Sequence, residues 1–124
     1  MNTHTSTSSE ALYRVVEAEG ELDILTAPSF GARLRGDEDD EGDGGPARWR
    51  LIADLSRVSF MDSSPLYELC AVGHRNDLRG GWTRVVYAHA GIALLFRAAD
   101  LARTFPRYAS VDDARQDRRS SAHE

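Results

Sequence analysis

The stretch LIADLSRVSFMDSSPLYELC, residues 51–70, decides the fold. It opens on the apolar run Leu51-Ile52-Ala53, halts at Asp54, resumes from Val58 to Met61, and then turns polar at Asp62-Ser63-Ser64-Pro65. Beyond the proline, Leu66, Leu69, Cys70 and Gly73 recur at helical spacing. This is the pattern of a buried strand, a turn and the start of a helix. Ser64 is the expected N-cap, its hydroxyl accepting from an orphan amide of the first turn. Pro65 falls at the first helical position, where a missing N–H costs nothing. It also pushes Ser64 out of the α region, as a cap requires. Ser63 is thereby left just outside a helix N-terminus, where the macrodipole and free amides favour an anion. A hydroxyl there is a candidate phosphate acceptor. The plainer alternative is that Ser63 and Ser64 only cap the helix.

Working outward, RWRLIADL (48–55) reads as a strand whose Leu-Ile-Ala core is buried on both faces, as in a central strand. The helix from Ser64 is predicted to run to about Leu78, with Arg79-Gly80-Gly81 supplying a glycine C-cap. WTRVVYA (82–88) is a β-branched and aromatic strand, and GIALLFRAA (91–99) a compact apolar helix. FPRY (105–108) is a short edge strand, because proline cannot donate in a central one. Ser110 caps a last polar helix, VDDARQ, with Asp112 and Asp113 in its first turn. On the N-terminal side, ALYRVVEA (11–18) is a strand and GELD (20–23) a second extended piece or turn. Thr26-Ala27-Pro28 starts a helix with a capping threonine, and Phe30 and Leu34 form its apolar face. Strands alternating with helices predict an α/β fold: a small mixed sheet of four to five strands, with about four helices packed mainly on one face.

The chain has 124 residues, enough for one domain with a real core. That domain is expected over residues 11–117, with polar, disordered tails at 1–10 and 118–124. The net charge of −5 is concentrated: six of the twenty acids fall in DEDDEGD, residues 37–43. Without them the body is near neutral, so it lacks the basic footprint of a nucleic-acid binder. The segment GDEDDEGDGGP (36–46) contains no apolar residue and reads as a solvated acidic loop. Its acids lack the ordered spacing and closing Glu of a calcium loop, so no metal is expected. No run approaches a membrane span, and the polar start MNTHTSTSSE lacks the apolar region of a signal peptide. A cytoplasmic protein without cofactors is the expectation. The single cysteine, Cys70, lies on the apolar stripe and reads as a small buried hydrophobe.

Two motifs in these topological slots resemble the STAS domains, the fold of bacterial anti-anti-sigma factors. GELDILTAP (20–28) looks like their turn and first helix start. LIADLSRVSFMDSSPLYEL (51–69) looks like their central strand and phosphorylation loop, usually Asp-Leu-Ser-x-Val-x-Phe-Met-Asp-Ser-Ser/Thr-Gly-Leu. The resemblance runs from roughly residue 12 to residue 114. It implies a switch protein with no catalysis of its own, which sequesters an anti-sigma factor that is also a serine kinase. Phosphorylation of a loop serine then turns it off, and a PP2C-type phosphatase reverses this. Residue by residue, the phosphoacceptor is Ser63, the preceding acid is Asp62, and Asp23 matches an acid of the neighbouring loop. Asp23, Asp62, Ser64, Pro65 and Leu66 are thus expected on the partner surface. One departure is plain: Pro65 stands where the family usually has glycine, which would supply an amide to a phosphate.

Other functions fit less well. Ser63 as a nucleophile would need a base, yet no nucleophile elbow surrounds it, and His74 lies about 15 Å along the same helix at ~1.5 Å per residue. No phosphate loop or His/Cys cluster with ligand spacing occurs. Trp82 and Tyr87 read as sheet packing, and His74 and His89 as surface or packed histidines. The competing function lies inside the fold: a STAS module that docks constitutively in a signalling or transporter-accessory complex, without regulated phosphorylation.

Overall fold

The computed structural model describes residues 2–6, 12–36 and 45–120. Five strands lie side by side in chain order: β1 (Asn2–Ser6), β2 (Arg14–Leu22), β3 (Arg50–Met61), β4 (Trp82–Val86) and β5 (Arg107–Tyr108). β2 through β5 are mutually parallel, and β1 pairs antiparallel with β2. Between them run α1 (Ala27–Arg35), α2 (Ser64–Leu78) and α3 (Ala90–Ala98), with α4 (Val111–Arg115) closing the chain and a 3-10 turn at Gly45–Trp49. The expected α/β architecture is the observed one.

The sheet's two faces are covered unequally. Phe30 and Leu34 of α1, Leu66, Leu69 and Val72 of α2, and Ile92 and Phe96 of α3 meet Val16, Leu22, Leu51, Ala53 and Val85 in the main core. On the opposite face Ile52, Val86 and Tyr108 meet Ala114 of α4, with Tyr13, Val15, Trp82 and Val111 packed around them. Residues 51–55 of β3 are all buried, because that strand has parallel neighbours on both edges and layers on both faces. Trp82 and Tyr87 serve packing on opposite faces: Trp82 lies beside Tyr13, and Tyr87 stacks on Phe96 at 4.4 Å.

Helix ends follow their chemistry. α2 stops in a Schellman motif, with the Gly81 N–H donating to Asn76 O and Gly80 N–H to Asp77 O, while Gly80 takes φ +78°. Gly81 lacks a side chain for a different reason: a Cβ there would run into the Trp49 carbonyl. α3 and α4 end the same way, with Asp100 (φ 61°) and Asp117 (φ 57°) in the glycine slot. Ser110 caps α4 as expected, its hydroxyl accepting from the Asp113 N–H at 3.0 Å. Behind α1, the buried Arg14 donates to Leu34 O at 2.7 Å. Burial, with Arg75 and Arg48 close by, pulls the pKa of its guanidinium down to about 10.

Several expectations change. Residues 2–6, assigned to a disordered tail, form an edge strand, because strand pairing uses backbone groups that a polar Thr/Ser sequence does not advertise. Residues 14–22 are one strand rather than two pieces, with register shifts after Glu17 and Gly20 absorbing the irregular pattern. Residues 118–120 do not fray: Arg118 pairs with Asp112 and Asp113, and the Ser120 N–H donates to Arg107 O. Within the expected acidic loop, Gly45 and Pro46 belong to the 3-10 turn. Residues 37–44, like 7–10 and 121–124 of the expected tails, lie outside the described residues.

Candidate functional site

Three parallel strands send their carboxyl ends to one edge, where the loops leading into α1, α2 and α3 gather. Such an end is where open α/β sheets place their binding residues. The first two loops are tied together. Asp62 donates its N–H to Leu22 O at 3.0 Å, and its carboxylate accepts from Ile24 N–H through Oδ2 at 3.2 Å and from Ser64 N–H through Oδ1 at 2.8 Å. One side chain therefore caps α2 and braces the neighbouring loop.

That assignment corrects the cap. Ser64 is already helical, and neither serine makes a side-chain cap; Ser63 is the boundary residue, with helical φ −76° and ψ −13°. With Ser63 and Ser64 already in helical conformation, the residue before them supplies the cap, and its charged oxygen bonds the Ser64 N–H strongly. α1 repeats the arrangement one loop away. Asp23 Oδ1 accepts from Leu25 N–H (2.9 Å) and Thr26 N–H (3.1 Å), while Thr26 Oγ1 accepts from the Asp23 N–H (2.9 Å). This is a reciprocal capping box with Asp23 as the cap and Thr26 reaching back. Thr26, expected as the cap, holds the box closed instead.

Ser63 is exposed, next in sequence to the Asp62 that ties the two loops together. The helix behind it has little left for an anion: the Ser64 N–H is bound to Asp62, Pro65 has none, and the Leu66 N–H donates to Ser63 O at 3.1 Å. Of the free amides expected beside Ser63, those of residues 64 to 66 are bonded or missing. Pro65 and Leu66, expected to face a partner, are buried, because α2 turns the stripe Leu66-Leu69-Val72-Asn76 toward the sheet. Tyr67, one turn beyond Ser63, is 75% exposed, and Ile24 and Leu25 are 71% and 85% exposed. Sequence reasoning missed all three. The signal was available: two adjacent aliphatics inside a turn have no core to enter.

The remaining titratable groups do other work. His89 caps α3, its Nδ1 accepting from the Gly91 N–H at 3.0 Å, and His74 is exposed. Cys70 is half-buried against the core, which pushes its thiol pKa up. Among the described residues no cluster could hold a metal ion, and no helix is long and apolar enough to cross a membrane.

A family model described as the STAS domain matches residues 4–114. The chain belongs to the STAS domain family. Among solved structures, this STAS domain is similar to an anti-sigma factor antagonist from Mycobacterium paratuberculosis, at 27% identity and TM-score 0.76, over 94% of this chain and 92% of that one. It shares its fold with a putative anti-sigma factor antagonist from Thermotoga maritima (16% identity, TM-score 0.77, 93% and 92% covered). The same holds for the Bacillus cell fate determinant SpoIIAA in its phosphorylated form (19% identity, TM-score 0.67, 95% and 100% covered). No curated protein matches the chain significantly.

Proposed function

We propose that this STAS domain is an anti-sigma factor antagonist that binds a serine-kinase anti-sigma factor and is switched off by phosphorylation of Ser63. A PP2C-type phosphatase would restore the active form. The observation that carries the reading is the placement of Ser63, exposed at the meeting of two braced loops and bordered by bare apolar residues. Its likeness to the mycobacterial antagonist supports the partner class.

The physics suits a local switch. A phosphate brings roughly −1.5 to −2 charges at neutral pH. It would stand beside Asp62 with no free amide of the first turn to receive it. A partner packed against neutral Ser63 would then have to desolvate a dianion, and losing ~3 kcal/mol weakens binding over a hundredfold. No rearrangement of the fold is needed.

The test is incubation with ATP and a candidate serine-kinase anti-sigma factor from the same genome, read by intact mass. One added phosphate is expected on the native chain and none on Ser63→Ala. Ser63→Asp should lose partner binding while keeping its circular dichroism. Undiminished binding by Ser63→Asp would overturn the switch and favour a constitutive docking module.

A further inference from the structure

Ile24 and Leu25 form an apolar tip held from two sides. Behind them the Asp23–Thr26 capping box fixes the loop through three short-range hydrogen bonds. In front, Asp62 Oδ2 accepts from the Ile24 N–H while Oδ1 of the same carboxylate accepts from the Ser64 N–H, next to Ser63. Tip and serine thus share one anchor. Among the described residues neither Asp23 nor Asp62 forms an ion pair, so the tip rises from an acidic base.

Resting on the partner binding proposed above, we infer that Ile24 and Leu25 enter an apolar cleft with a basic rim on the anti-sigma factor, and that Asp62 is the positioning residue that lets the charge at residue 63 move them. Two exposed aliphatics on a pre-braced loop dock with little ordering cost. The two carboxylates at their base call for positive charge on the partner's rim. A phosphate on Ser63 acts on Asp62 by like-charge repulsion, which draws the carboxylate away from the Ile24 N–H and unmoors the tip.

Amide exchange by NMR tests the brace without any partner. Phosphoserine installed at position 63 should speed exchange of the Ile24 amide about tenfold, and Ser63→Ala should leave it unchanged. An Ile24 amide indifferent to phosphorylation overturns the role of Asp62. The tip is tested by the Ile24→Ser/Leu25→Ser double variant, whose exposed positions leave the fold intact by circular dichroism. Its affinity for the anti-sigma factor should fall by about a hundredfold. Native-like affinity overturns the docking assignment while leaving the proposed function standing. If the native chain binds no anti-sigma factor, the proposed function fails and the docking assignment with it, while the exchange result still judges the brace.

Discussion

Replacing Asp62 by alanine removes both acceptors that hold the mouth of this domain together. The lost cap on the Ser64 N–H, at 2.8 Å, is worth about 1 kcal/mol. The longer, exposed bond from the Ile24 N–H, at 3.2 Å, adds about 0.5 to 1 kcal/mol. Asp62→Ala should therefore cost about 1.5 to 2 kcal/mol, which lowers Tm by about 5 to 8 °C in a domain of this size. Asp62→Asn keeps a single acceptor oxygen and should lose about half as much. Ser64→Ala removes a hydroxyl that makes no cap and should stay within about 0.5 kcal/mol. Urea denaturation followed by circular dichroism separates these values, provided the slope m is shared by all variants. A Ser64→Ala loss larger than that of Asp62→Ala would refute the carboxylate cap and restore the hydroxyl one.

Gly81→Ala should cost about 2 to 3 kcal/mol in the same urea assay, because its Cβ would meet the Trp49 carbonyl and lie 2.8 Å from Trp49 Cβ. Gly31→Ala should be nearly neutral. There the obstacle is the flexible end of Glu68, whose exposed pair with Arg35 is worth at most about 1 kcal/mol, and alanine regains about 0.5 to 1 kcal/mol of helix propensity. Asp100→Gly should stabilise by up to about 1 kcal/mol, since φ 61° suits glycine, and a rise in Tm reads it. Hydrogen bonds hold the Asp112 carboxyl (from Arg115) and the Asp117 carboxyl (from Tyr108) below the ordinary carboxylate range. Both release protons more readily folded than unfolded, so their stabilisation is complete above about pH 4 and fades as pH falls through the lower folded values. Asp117→Asn should flatten that acid limb in urea midpoints taken between pH 2 and 6.

The parts of this fold that were legible in the sequence are those where side chains declare the environment. The apolar run at Leu51 announced a two-sided strand, the paired glycines after Leu78 announced a Schellman end, and Ser110 announced its own cap. β1 was not legible, because an edge strand is made by backbone pairing and its residues carry no apolar alternation. The α2 cap was misread by two residues for a different reason. Local spacing cannot reveal that Asp62 also reaches the Ile24 N–H across 38 positions of sequence, and that second bond fixes the carboxylate where it caps. The apolar tip was overlooked because a motif directs attention to its hydroxyl, whereas a docking surface depends on the residues standing around it.

Pro65 takes on its meaning from that same cap. A side chain at the helix boundary bonds the amides of the second and third helical residues. Here the second is Pro65, with no N–H, and the third is Leu66, whose N–H is spent on Ser63 O. A phosphate on Ser63 is therefore left in water beside Asp62, whose like charge pushes its second ionisation up rather than down. Pro65→Gly restores one donor, and a hydrogen bond to the charged form lowers a pKa. In ³¹P NMR titrations, phosphoserine at position 63 should ionise about half a pH unit lower in Pro65→Gly than in the native chain. Glycine should also weaken the switch, because a phosphate bonded to its own helix presents less bare charge to the anti-sigma factor. Identical titration curves would mean that the phosphate turns away from the helix whatever residue stands at 65, and that proline here is only a helix start.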